Sequence, residues 1–160
     1  MLSPEAFMHA FGGVYEHSPW IARMVSYQRP FATQHGLRTA FETVMQSASD
    51  TDKLTLLQAH PELAGKAAID GRLTEASQAE QASAGLDRML AEEYAELTSL
   101  NRLYSERFGF PFIICVRLTD KAGILAALRR RVERPAPEEF QTALAEVVKI
   151  AHLRLEGMLS

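Results

Sequence analysis

A single cysteine, Cys115, in 160 residues leaves no intramolecular disulfide to staple the fold. That scarcity fits a reducing compartment. The thiol lies inside "FIICV", where it reads as a small buried apolar group. No apolar run approaches the roughly 20 residues needed to span a bilayer. The opening "MLSPEAF" lacks a basic segment followed by a long apolar stretch, and the closing "MLS" is not a peroxisomal address. These absences lead us to expect a cytoplasmic protein with no membrane partner. Charge of one sign is also scarce. A net charge of −3 offers no broad basic field, so no nucleic-acid partner is expected. The one dense basic run, "LRRRVER" at 128–134, reads as a solvated helix end.

The common catalytic signatures are missing too. Among His9, His17, His35, His60 and His152 no pair has HExxH spacing, and there is no Cys/His cluster; no metal site is expected. "AGKAA" contains Gly-Lys, but Ala67 stands where a Walker A loop needs Ser or Thr. "FGGVYE" lacks the third glycine of a dinucleotide fingerprint, and no strand precedes it. With no GxSxG elbow and the lone thiol in an apolar run, a covalent mechanism has little support.

Helix signals, in contrast, run nearly throughout. Ser3-Pro4 and Ser18-Pro19 are helix starts, with serine as N-cap and proline at the first helical position. "GLRTAFETVMQSA" puts Leu37, Phe41, Val44 and Met45 on one stripe. "SDTDKLTLLQAH" runs 49–60 and meets Pro61, which disfavours helical geometry at His60. After a loop, "PELAGKAAIDGRL", Thr74 caps a helix that stops near Gly85. "LDRMLAEEYAELTSLNRLYSERFG" is expected to be one long amphipathic helix, with Leu86, Met89, Leu90, Tyr94, Leu97, Leu100 and Tyr104 at helical spacing and Gly109 as its end. "FPFIICVRL" is the one stretch that reads as extended. "DKAGILAALRRRVE" and "APEEFQTALAEVVKIAHLRLEGML" close the chain, separated by Pro135 and Pro137. With 47% hydrophobic and 23% charged residues and no repeat or linker, we expect one all-α domain over 1–160: a single compact multi-helix bundle with one short extended segment near 110–117.

Three stretches can carry chemistry. His60 sits at a helix's C-terminal edge. The helix dipole favours a histidine there, so a capping role explains it, and the same dipole favours the imidazolium that a proton donor needs. Ser77, Glu80 and Gln81 stand at i, i+3 and i+4, so they share a helix face. S-x-x-E is also a capping box, but Thr74 is the better-placed cap. That leaves a serine, a carboxylate and an amide as a hydrogen-bonding edge for a polar heterocycle, or as a plain exposed face. In "FGFPFIICVR" the extended backbone must find partners outside a helix. Arg117 follows it and can clamp a carboxylate or a urea carbonyl; the alternative is an apolar connector ending in a surface arginine.

Five phrases, "FGGVYEHSPWIA" (11–22), "HPELAGK" (60–66), "SQAEQASAGL" (77–86), "FGFPFIICVR" (108–117) and "ALAEVVKIAHLRL" (143–155), together resemble the OHCU decarboxylases. These act on 2-oxo-4-hydroxy-4-carboxy-5-ureidoimidazoline in the breakdown of urate to allantoin. The likeness covers most of the chain, and the order and spacing of the motifs are more specific than any one of them. The resemblance implies an all-α fold, no cofactor, a homodimer, and OHCU as the small-molecule substrate, converted to (S)-allantoin. It also implies roles. His60 is the catalytic acid, with Glu80 beside it in the catalytic pair, and Pro61 shapes the pocket. Ser77, Glu80 and Gln81 bind the ring and ureido group. Phe112, Ile113, Ile114, Cys115 and Val116, with Arg117, line the opposite wall. Two other readings stay open on the residues alone: a non-catalytic helical binding module, and a lyase or hydrolase for another hydantoin-like ring.

Overall fold

The local signals at helix starts become observed caps. The computed structural model describes residues 1–65 and 71–160. Lys66 of "HPELAGK", Ala67 and the middle of the loop expected over 61–73 lie outside the described residues. Ser3 Oγ accepts the Ala6 N–H and opens helix α1 (Pro4–Phe11). Helix α2 (Pro19–Ser26) begins at Ser18-Pro19, but there the Ser18 hydroxyl donates to the Glu16 carbonyl and does not cap. Thr33 and Ser49 cap α3 (Gln34–Gln46) and α4 (Asp50–Gln58). Thr74 Oγ1 accepts the Ser77 N–H and caps α5 (Glu75–Ser83) as expected, with Ser77 inside the first turn of that helix. Helix α6 (Ala91–Phe108) ends on Gly109, whose φ of 78° is the left-handed geometry glycine adopts at little cost. Asp120 caps α7 (Lys121–Arg131), and α8 spans Ala136–Leu159. Among the described residues there are eight α-helices and no strand.

The chain divides into two compact units. The first comprises Met1–Ala59 and Val148–Ser160. Its core is aromatic: Phe7, Phe11, Tyr15 and Phe41 pack together, some pairs stacked and some tilted, with ring centroids 4.8–6.5 Å apart. Phe41, Met45 and Leu56 are at most 1% exposed, and each such side chain stabilises the fold by about 1.5–3 kcal/mol. Arg154 and Glu16, both nearly fully buried, pair at 2.8 Å, and Arg154 also donates to the Gly13 and Val14 carbonyls. His17 adopts φ 52° and stays exposed.

The second unit is His60–Val147. Leu97, Tyr104, Phe112, Ile124, Leu128 and Leu144 form its centre. Two expectations change here. The long helix begins at Ala91 and not at Leu86, because residues 86–89 turn ahead of it and Leu90 takes the N-cap position. Glu93 secures that start by accepting the Leu90 N–H at 2.8 Å. Leu90 and Tyr94 are exposed and the buried stripe is Leu97, Asn101 and Tyr104. The second change is in "LRRRVER". Helical spacing puts Arg131 on the face of α7 that buries Ile124 and Leu128, so this arginine is 3% exposed and pairs with fully buried Glu139 at 2.6 Å. The Tyr104 hydroxyl donates to the same carboxylate. Burial and that hydrogen bond push the phenol well above its ordinary range. Only part of the run is a solvated helix end.

The segment expected to be extended is irregular over 111–115 and closes in a 3-10 turn at Val116–Leu118. No ladder satisfies its backbone, so side chains of the surrounding helices do.

Candidate active site

His60 stands two residues beyond the end of α4, past its Ala59 C-cap, and is half-buried with Nε2 shielded from solvent. The loop that starts there is tied down at two points. Asn101 Nδ2 donates to the Leu63 carbonyl at 3.0 Å, and the Ala64 N–H donates to Gln81 Oε1 at 3.0 Å. Ala64 has φ 49°, and a Cβ on the following Gly65 would lie 2.9 Å from Glu62 Cβ. The tight turn therefore demands glycine at 65. Half-buried Pro61 and Glu62 lie between His60 and these anchors, and burial raises the Glu62 carboxyl above the usual carboxylate range.

Helix α5 presents Ser77 and Gln81 as buried residues and Glu80 as a half-buried one. This helix packs on the 3-10 turn at 116–118, which brings the two motif stretches together. The junction is Cys115. Its thiol is raised first by burial, then by the negative charges of Glu146 and Glu80; the Arg117 N–H and guanidinium act in the opposite direction. Phe112, Ile113, Cys115 and Val116 are buried, Ile114 is half-buried, and Arg117 is exposed. Gln81 departs from the expected arrangement in one respect: its carbonyl oxygen is committed to Ala64, so it joins α5 to the His60 loop. It also borders a cavity of about 280 Å³ together with Ala64, Gln78, Ala82, Leu86 and Tyr94. His60, Glu80 and Arg117 are not on that wall.

Sequence reasoning missed three polar residues. Asn101 sits at a helical spacing that reads as core, between Leu97 and Tyr104. Glu62 lies inside "HPELAGK" and Glu146 inside "ALAEVVKIAHLRL". A charged residue on an otherwise apolar helix face is the one signal that could have marked Glu146. Among the described residues, no three His, Cys, Asp or Glu side chains gather in a way that could hold a metal ion.

The family model for OHCU decarboxylase matches residues 1–156. The chain belongs to the OHCU decarboxylase family. It is 44% identical over 159 residues to the 2-oxo-4-hydroxy-4-carboxy-5-ureidoimidazoline decarboxylase of Haloferax volcanii, covering 99% of this chain and 92% of that one. The protein of that name from Mus musculus is 40% identical over 153 residues, covering 96% and 86%. Among solved structures, OHCU decarboxylase in the presence of (S)-allantoin superposes with a TM-score of 0.73 at 26% identity, over 96% of both chains. A crystal structure of (S)-allantoin synthase gives a TM-score of 0.79 at 30% identity, covering 98% of this chain and 50% of that one. The all-helical architecture expected from the sequence is observed among the described residues, and this fold superposes on the solved OHCU decarboxylase along nearly its whole length.

Proposed function

We propose that this chain is a carboxy-lyase of urate degradation that converts OHCU to (S)-allantoin. The observation that carries the reading is the family match along 1–156, in a chain 44% identical to a decarboxylase named for this substrate. That match runs through both units, which supports taking 1–160 as one family domain.

The chemistry explains why side chains of these types suffice. The bond from the ring carbon to the carboxylate breaks and CO2 leaves. The electron pair forms a C=C bond to the neighbouring ring carbon, and the C=N pair moves to nitrogen, which takes up a proton. The enol then returns to a carbonyl as a proton is delivered to that neighbouring carbon on one face. The ring itself is the electron sink, so the reaction needs no cofactor. The protein must orient the carboxylate out of the ring plane, place donors where charge develops, and shield one face.

In this reading His60 is the general acid at the carboxylate and hydroxyl end, and Pro61 shapes the pocket beside it. Glu80 accepts ring or ureido N–H bonds, and the Ser77 hydroxyl joins it. Gln81 offers its amide N–H groups while its carbonyl holds Ala64. Phe112, Ile113, Ile114, Cys115 and Val116 form the opposite wall, with Arg117 available to a carboxylate or urea carbonyl. Support for grouping these residues comes from α5 packing on the 116–118 turn and from the Gln81–Ala64 bond.

The cytoplasmic setting is supported by the scarcity of cysteine and by the absence, among the described residues, of a helix long and apolar enough to cross a membrane. The homodimer rests on the resemblance alone. The deciding experiment follows allantoin by circular dichroism as urate is consumed by urate oxidase and the hydrolase that supplies OHCU. A dichroism signal of the sign given by authentic (S)-allantoin, growing faster than spontaneous decay, is expected. Racemic product at the spontaneous rate would favour a binding module.

A further inference from the structure

Two buried side chains grip the backbone of the irregular segment. Arg131 Nη1 donates to the Ile113 carbonyl at 2.8 Å, and Glu146 Oε1 accepts the Cys115 N–H at 3.2 Å. Arg131 reaches its place through Glu139 and lies 4.5 Å over the Phe112 ring. Glu146 is different. It is 8% exposed on a face of α8 that otherwise buries Ala143, Leu144 and Val147. An apolar residue would sit there at lower desolvation cost. A carboxylate is accounted for by what it does across the 31 residues to Cys115: it satisfies an N–H that has no helix or ladder to join. Its charge also reaches the Cys115 thiol, as does that of Glu80, so the peptide it holds lies next to the helix that carries Glu80.

We propose that Glu146 is a positioning residue of the decarboxylase site: its buried carboxylate holds the Cys115 N–H and thereby sets the 112–117 wall against Ser77, Glu80 and Gln81. The proposal rests on the decarboxylase reading and adds to it a residue to which the resemblance assigns no role. Glu146 acts through the backbone of Cys115 and does not touch substrate. Arg131 grips the same segment, but it also neutralises Glu139, so its loss would confuse positioning with unfolding.

The test compares E146Q with E146L in the full chain. Glutamine keeps an acceptor oxygen in place, whereas leucine fills the volume without one. Three quantities are read: protection of the Cys115 amide in native-state hydrogen exchange, kcat with freshly generated OHCU, and KM. E146Q is expected to keep the amide protected and kcat within about threefold of the parent. E146L is expected to lose that protection and at least about tenfold in kcat while retaining its far-UV dichroism, because a misplacement of an ångström can cost on the order of a hundredfold. If E146L does not fold, E146D, which withdraws the carboxylate by one methylene, makes the same comparison. A leucine variant with a lower melting temperature but parental kcat would make Glu146 merely structural and overturn the proposal. Absence of turnover by the parent chain overturns the decarboxylase reading and this proposal with it. Parental turnover matched by E146L overturns this proposal alone.

Discussion

Gln81 Oε1 accepts the backbone N–H of Ala64 at 3.0 Å, linking helix α5 to the loop that begins at His60. The bond crosses 17 residues and is part-buried. It makes Gln81 a structural member of the site as well as a candidate substrate ligand. Replacing Gln81 by leucine leaves the Ala64 N–H without its acceptor, at a cost of about 1–3 kcal/mol. Urea unfolding should register that loss, and turnover of OHCU should fall more than stability does. Q81E keeps an acceptor but removes the amide donors, so it should retain more stability than Q81L while still losing activity.

His60→Ala should reduce the rate to near that of spontaneous decay, since general acid catalysis contributes on the order of 10²–10⁴-fold. His60 lies beyond the Ala59 C-cap, outside the helical residues of α4, so helix content should be preserved. Glu80→Ala should also lose most activity. The enantiomeric composition of allantoin, read by circular dichroism, checks both variants. A full parental rate in H60A would remove the histidine from the mechanism.

The Arg131–Glu139 pair makes a sharp stability prediction. Glu139 is fully buried and Arg131 nearly so. R131M leaves a buried carboxylate, with the Tyr104 hydroxyl donating to it and Arg134 3.8 Å away at its other oxygen. The loss should be about 3–5 kcal/mol. The double variant R131M/E139L removes both charges and should recover a large part of it. Chemical denaturation of the three proteins measures the difference.

His152 supplies a pH-dependent term. Its Nε2 lies 3.3 Å from Glu42, an attraction that favours the charged ring. Burial acts the other way and outweighs it, and Arg38 adds to burial while Glu156 opposes it, so the imidazole is held below its ordinary value. The unfolded chain then binds more protons than the folded one as the pH falls through about 6.5. The stabilising contribution is present above that pH and is lost below it, towards the lower folded value. H152Q should therefore show a flatter stability profile between about pH 7.5 and about pH 5.5, measured by urea midpoints.

Much of the secondary structure was legible because its causes are local. Ser3, Thr74 and Asp120 cap within three residues of themselves, and Gly109 ends α6 through its own φ. The start of α6 was misjudged at Leu86 because the apolar spacing continues through residues that turn; only the Leu90 N–H to Glu93 bond marks the true boundary.

The amino-acid order by itself determined that this chain is helical and where most of its helices begin and end. Those properties follow from dihedral preference, capping and periodicity, which act over a few neighbouring residues. Only the tertiary structure decided that Arg131 is buried while exposed Arg129 binds Glu96, that Asn101 holds Leu63, and that Glu146 holds Cys115. Each of those pairings spans 8 to 38 residues. Which buried carboxylate meets which backbone N–H depends on how the helices pack, and periodicity carries no information about the partner on the facing element.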